Sequence, residues 1–452
     1  MKVHFIAIGG SAMHNLAIAL HKKGFIVTGS DDEIFEPSRS RLLKYNLLPS
    51  SEGWDERNIT ETLDAVILGM HARADNPELL KAKELGLKIY SYPEFLYEQS
   101  KNKKRIVIGG SHGKTTITAM ILHVLQKNGI ETDYMVGAQL EGFEVMVKLS
   151  EDAHFMIFEG DEYLTSPIDR RPKFHLYKPD IALLSGIAWD HINVFTTFEN
   201  YVEQFIIFIQ QITPGGTLIF CENDEVLRKI ALSARDDIHL LPYSLPEYSK
   251  KDGITHLHFH GEQIPLRVFG DHNLLNLNGA RLVCNQLGVN DEHFYRVIQS
   301  FSGASKRLEL ITKNESTAVF KDFAHSPSKV QATVKAVKDQ FPTKKLVACM
   351  ELHTFSSLSR EFLAHYKGTM DNADKPIIYY NPHALLLKKM PPIMPEEVMA
   401  GFEHPGLEIF NDSTLLYQRL LDENWNNKNL LLMSSGDFDG MDLTYLAKKI
   451  TE

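Results

Sequence analysis

Cysteine is scarce: Cys221, Cys284 and Cys349 are the only three in 452 residues. They lie too far apart for a zinc spacing or a disulfide framework, and such sparse thiols suit a reducing compartment, so a cytoplasmic protein is expected. Long apolar runs are missing too. Nowhere do about 18 apolar residues run unbroken, and the richest stretch, FIIFIQQI at 205–212, carries two glutamines. Neither membrane insertion nor a secretion signal is expected, since Met1 to Ile8 pass straight into a strand-like run. Positive charge is the minority, 48 Lys and Arg against 58 Asp and Glu. That balance excludes a general nucleic-acid footprint. No internal repeat, low-complexity tract or obligate protein partner is evident.

What is present is an ordinary globular balance, 43% hydrophobic and 23% charged, in a chain too long for one core. The opening KVHFIAIGGSAMHNLAIALHKKGFIVTGSD reads as strand, glycine turn, amphipathic helix and second strand. Further strand-like runs at 65–70, 105–110, 154–160 and 181–187 alternate with helical segments, which predicts parallel sheets wrapped by helices. The basic stretch KNKKR (101–105) reads as a solvated linker and SGAS (302–305) as a second boundary. The expected division is therefore 1–103, 104–303 and 304–452, three α/β domains. Between 240 and 270, IHLLPYSL, THLHFH and IPLRVFG alternate like an antiparallel β insertion.

The least ordinary stretch is VIGGSHGKTTITAM, 107–120. A strand, a glycine loop, Gly113-Lys114-Thr115 and a helix together form a phosphate-binding arrangement, because backbone N–H groups and the helix N-terminus favour anionic oxygens. Lys114 would meet β- and γ-phosphates and the Thr115 hydroxyl would meet Mg²⁺. The strict loop pattern is not met, since Ile108 stands where its first glycine belongs. Strand-end residues Glu159, Asp161, Glu162, Asp190 and His191 suit a further Mg²⁺ site. In FGDHNLLNLNGA (269–280), His272, Asn273 and Asn276 stand at a helix start, where amides can meet a purine or phosphates or simply cap the helix. Arg307, Asp322 and His325 cluster in a short span at the head of the last domain.

The joint order of GGSHGKTT, FEGDEY, WDHINVF, GDHNLLN, KRLEL and DFAHSP resembles the Mur ligase family of ATP-dependent, amide-forming enzymes of cell-wall assembly, over essentially the whole chain. The resemblance implies a Rossmann-like first domain, a central P-loop ATPase-like parallel sheet with a small β insertion, and a Rossmann-like third domain that closes on ATP and binds the incoming amine. It implies ATP and two Mg²⁺ ions, with Thr115, Glu159 and His191 as metal residues and Lys114, Glu159, His191 and Arg307 as catalytic residues. Gly110, His112, Gly113, Lys114, Thr115, Thr116, Asn273, Asn276, Arg307, Asp322 and His325 would surround ATP. Gly9, Gly10, Ser11, Ala12, Met13, Ser30 and Asp31 would cradle UDP-N-acetylmuramate, as in the members that use that sugar.

DEYLTSPIDRRPKFHLYKPD, IFEPSRSRL and MSSGDFDGM look most like the member that adds the tripeptide L-Ala-γ-D-Glu-meso-diaminopimelate, whereas RADNPEL is closer to the member that adds L-alanine. His353 stands where the tripeptide member has an arginine, as in the alanine member. Gln204 and Phe205 stand where several relatives carry a carbamylated lysine, so no carbamate bridge is expected. A nucleotide-dependent binding protein on the same fold is the rival reading, and a kinase or simple ATPase would need neither outer domain.

Overall fold

The computed structural model describes residues 1–140, 142–189, 194–304 and 307–452. Its architecture is α/β, with parallel pairing dominant in three of four sheets. The first sheet runs Ile26–Ser30, Lys2–Ile6, Ala65–Leu68, Ile89–Ser91, all parallel. All four residues of Ala65–Leu68 are buried, the continuous apolar run that a strand covered on both faces requires.

The second sheet has seven strands in the order His239–Tyr243, Thr217–Cys221, Ile181–Leu184, Lys104–Gly109, Phe155–Glu159, Thr132–Met135 and Val147–Lys148. Only the last pairs antiparallel. After Lys104–Gly109 the chain builds one side of the sheet through Thr132–Met135 and Phe155–Glu159, then crosses to Ile181–Leu184 on the other. The carboxyl end of Lys104–Gly109 is thus the topological switch point, where open parallel sheets form their ligand crevice.

Tyr248–Lys251, Ile254–Phe259 and Glu262–Leu266 form the antiparallel insertion. It is smaller than the sequence reading: IHLLPYSL contributes His239–Tyr243 to the central sheet, because the chain returns from Thr217–Cys221 through the helix Glu225–Leu232 and pairs in parallel. The last sheet runs Glu309–Lys313, Ala318–Asp322, Lys428–Met433, Lys345–Leu352, Lys375–Tyr380 and Glu408–Phe410, parallel except for its first strand. By compactness the chain forms two units, Met1–Ser244 with Asn276–Phe294, and Leu245–Leu275 with Tyr295–Glu452.

KNKKR is not a solvated linker throughout. Lys103 Nζ reaches Asp133 Oδ2 at 2.5 Å and the Ser150 carbonyl at 2.6 Å. Arg105 is buried, its Nε donating to the Lys178 carbonyl at 2.9 Å. Alternation inside a strand start turned these two cations inward, and buried charges then took partners.

Candidate functional site

The glycine loop is held open by two left-handed residues, Gly110 (φ +119°) and Gly113 (φ +81°). A β-carbon at Gly110 would stand 2.2 Å from Ser185 Oγ, and one at Gly113 would stand 2.2 Å from Asn276 Oδ1. Glycine is needed for both backbone angle and space. Gly113 stands at the N-cap of the helix Lys114–Lys127 and, having no side chain, makes no cap hydrogen bond to its first turn. The N-terminal N–H groups there are available to an anion.

Lys114 Nζ donates to the Gly110 carbonyl at 2.7 Å and to Glu162 Oε2 at 2.7 Å. Burial would discharge this ammonium, but the carboxylates of Glu162, Asp161 and Glu159 outweigh it and raise the pKa. Lys114 is therefore a fixed positive charge at the loop. Beside it, Thr115 Oγ1 donates to Glu159 Oε1 at 2.8 Å, and the Gly137 N–H donates to Glu159 Oε2 at 2.9 Å. Burial pushes Asp161 up, yet Lys173, whose Nζ lies 2.6 Å from Asp161 Oδ2, together with Lys114 holds it down at about 2. Thr116 is buried in the first helical turn, and His112 gives its carbonyl to the Ser185 hydroxyl.

Thr115 and Glu159 supply two adjacent oxygen donors, a set that fits Mg²⁺, which binds few protein oxygens and keeps waters. Among the described residues no group of three or more His, Cys, Asp or Glu side chains is disposed to hold a metal. Asp190 and His191, assigned to the second ion, lie outside the described residues.

In the first sheet, the Gly9 N–H donates to Asp31 Oδ2 at 2.6 Å and the Asp32 N–H to Asp31 Oδ1 at 3.0 Å. Gly10 precedes the helix Ser11–Lys22, again with no side-chain cap. Ser11 and Ala12 are exposed at this helix start, whereas Met13 is buried. Ser30 is buried and its hydroxyl donates to Glu78, so it braces the sheet edge from within. His14 Nδ1 meets the Gly10 carbonyl at 2.9 Å and Ser38 Oγ at 3.0 Å.

The helix Asp271–Gln286 is divided between the two compact units. Asn276 belongs to the unit of the glycine loop and abuts Gly113, while Asn273 Nδ2 donates to the Phe269 carbonyl at 2.9 Å. Arg307, Asp322 and His325 belong to the second unit. There the Arg307 guanidinium lies 4.8 Å from the Phe323 ring centroid. Asp322 accepts the Leu308 N–H at 2.5 Å and the Ala324 N–H at 2.6 Å. Burial raises Asp322 to about 6 against the pull of Arg307 and these two donors. His325 Nδ1 lies 2.8 Å from the Phe323 carbonyl, and His353 Nδ1 lies 3.5 Å from Glu351 Oε1.

The first unit thus gathers Gly110, Gly113, Lys114, Thr115, Glu159 and Asn276. It also recruits residues outside the loop motif: Gly137 on Glu159, Lys173 on Asp161, Ser185 on the His112 carbonyl and Tyr201 on Glu162 join the site only through tertiary pairing.

Residues 2–104 match the family description "Mur ligase family, catalytic domain" and residues 108–284 match "Mur ligase middle domain". The UDP-N-acetylmuramate–L-alanine ligase of Lactiplantibacillus plantarum is 30% identical over 385 residues, covering 82% of this chain and 82% of that protein. Its counterpart in Carboxydothermus hydrogenoformans is 27% identical, covering 99% and 97%. Among solved structures, the murein peptide ligase of Psychrobacter arcticus superposes with a TM-score of 0.66 at 21% identity, covering 100% of this chain and 99% of that one. The UDP-N-acetylmuramate–alanine ligase of Thermotoga maritima gives 0.70 at 19% identity, covering 100% and 98%. Among the described residues no helix is long and apolar enough to cross a membrane.

Proposed function

Because this chain belongs to the Mur ligase family of ATP-dependent ligases, we propose that it joins UDP-N-acetylmuramate to the tripeptide L-Ala-γ-D-Glu-meso-diaminopimelate. The observation that carries the chemistry is the convergence of Lys114, Thr115 and Glu159 under a glycine-capped helix N-terminus at the switch point. A carboxylate resists amines until its oxygen becomes a leaving group, and ATP supplies that as an acyl phosphate. In this reading the lactyl carboxylate attacks the γ-phosphate and displaces ADP, then the amine attacks the acyl carbon, loses a proton and expels phosphate to leave the amide.

Lys114 offsets charge as two anions approach, and the loop N–H groups orient the phosphates. Mg²⁺ at Thr115 with the β- and γ-phosphates, and a second ion assigned to Glu159 and His191, would supply further charge neutralisation. Asn273 and Asn276 serve the nucleotide, and the loop Gly9–Met13 with Asp31 serves the UDP. In the functional division 1–103, 104–303 and 304–452, the third domain carries Arg307, Asp322 and His325 to ATP and reads the amine.

The tripeptide reading is supported by the stretches 34–42, 161–180 and 433–441. A second reading, L-alanine as the amine, is favoured by the L-alanine ligases among the relatives and by His353. ATP-dependent phosphate release, with UDP-N-acetylmuramate fixed and L-alanine, L-serine, glycine or tripeptide varied, separates them. Release confined to tripeptides is expected. Release with L-alanine alone would replace the tripeptide by the single amino acid, and release with ATP alone would mark a simple ATPase.

A further inference from the structure

Tyr201 lies in the helix Phe198–Gln210, outside every stretch with a phosphate-loop signature, yet its side chain is fully buried beside that loop. Its ring is fixed between Phe195 and Phe205, at centroid distances of 5.4 Å and 5.2 Å. Its hydroxyl lies 3.1 Å from Glu162 Oε1 and 2.8 Å from Ser111 Oγ. The direction of both bonds follows from valence. The one Tyr201 hydrogen goes to Glu162 Oε1, the carboxylate that Lys114 holds by its other oxygen. Ser111 must then donate to the Tyr201 oxygen, and Ser111 Oγ in turn accepts the Ala188 N–H at 2.9 Å. The Ser111 N–H donates to the Gly186 carbonyl at 3.0 Å. Tyr201 therefore joins the glycine loop to the loop after Phe155–Glu159, and Ser111 joins both to the loop after Ile181–Leu184.

Glu162 Oε2 occupies Lys114 in this arrangement, at 2.7 Å. To serve the β- and γ-phosphates, Lys114 must share or leave that carboxylate, and weakening the ion pair of a buried carboxylate is costly. We infer that Tyr201 is a positioning residue that keeps Glu162 solvated by a hydroxyl while Lys114 turns to the phosphates, with Ser111 holding the phenol in line. This role rests on the reading that the loop receives the phosphates of ATP. It is a property of the relay Ser111–Tyr201–Glu162–Lys114, whichever amine is joined.

The test is equilibrium titration of the full chain with the non-hydrolysable AMP-PNP, with AMP and with UDP-N-acetylmuramate. Tyr201→Phe keeps the ring and its packing. It is expected to weaken AMP-PNP about tenfold, the size of one hydrogen bond to a charged group, and to leave AMP and the UDP-sugar within about twofold. Ser111→Ala should weaken AMP-PNP less, and the double variant should be no worse than Tyr201→Phe alone, because both act in one chain of bonds. Unchanged AMP-PNP affinity in Tyr201→Phe, or an equal loss for AMP and the UDP-sugar, would reduce Tyr201 to a packing residue. Additive losses in the double variant would break the relay. Absence of AMP-PNP binding by the unmodified chain would overturn the phosphate-loop reading itself, and the Tyr201 role with it.

Discussion

Asp31 commits both carboxylate oxygens to backbone N–H groups of the first glycine loop and the residue after it, and it is buried. Burial dominates, raising its pKa from 3.8 to about 6, while the Gly9 N–H pulls the other way. The folded state therefore prefers the protonated form. The stability this preference contributes is complete below the unfolded pKa and is lost as pH rises through about 6. Urea unfolding of Asp31→Asn, which is permanently neutral and can still accept from Gly9, should exceed the unmodified chain at pH 7.5 by on the order of 1 kcal/mol and match it near pH 4. Groups held near 2, such as Asp161, act in the opposite sense and only at lower pH, where their carboxylates take up protons. Equal stability of the two chains at pH 7.5 would show that Asp31 is not strained in its charged form. The identity of Asp31 as a strand-end acid beside a glycine loop was legible in the sequence. Its bond to the Gly9 N–H and the inward turn of Ser30 onto Glu78 were not, because 22 and 48 residues separate these pairs and only the folded domain brings them together.

At the scale of the element, the helix Lys114–Lys127 has a left-handed glycine beyond each end, Gly113 and Gly129. The two are equivalent in backbone terms, with φ of +81° and +71°, but differ in surroundings. Nothing lies within 4 Å of a β-carbon at Gly129, whereas one at Gly113 meets the Asn276 side chain. Alanine at Gly129 should cost about 1 kcal/mol of stability through backbone strain alone and leave nucleotide binding unchanged. Alanine at Gly113 should cost more, since its β-carbon must also displace the Asn276 side chain, and should weaken ATP roughly tenfold or more by reshaping the loop proposed to receive the phosphates. Thermal melts and ATP titration on both variants separate the two effects, and equal ATP affinity in the pair would remove Asn276 from the site. Strand, glycine loop and helix could be read from GGSHGKTT because each is a local signal. The contacts of Ser185 and Tyr201 could not, since they depend on which strands become neighbours. Likewise IHLLPYSL alternated like the antiparallel strands that follow it, and only its parallel partner Thr217–Cys221 assigns it to the central sheet.

At the scale of the whole molecule, the proposed chemistry is distributed over two compact units. The loop Gly9–Met13 proposed for the UDP-sugar, Lys114, Thr115 and Glu159 belong to the first, and Arg307, Asp322 and His325 to the second. Arg307 lies over Phe323 and beside Asp322, which keeps its guanidinium on a preformed shelf within its own unit. If Arg307 acts on ATP only when the domains close, its removal should lower the rate of the bound complex and spare the first binding step. Arg307→Ala is therefore expected to reduce kcat about a hundredfold, the loss seen when one charge-stabilising donor is removed, with UDP-N-acetylmuramate affinity unchanged. Arg307→Lys should recover only part of the rate, because an ammonium cannot reproduce the planar fork of the guanidinium or its stacking on Phe323. Steady-state kinetics beside equilibrium titration of the UDP-sugar on both variants provide the measurement. A parallel loss of UDP-sugar binding would mean that Arg307 already serves that site before closure, and the division of labour between the units would have to be abandoned. Retained kcat with a raised KM for ATP would instead confine Arg307 to ground-state nucleotide binding, since an interaction made equally before and during reaction leaves the rate of the bound complex untouched.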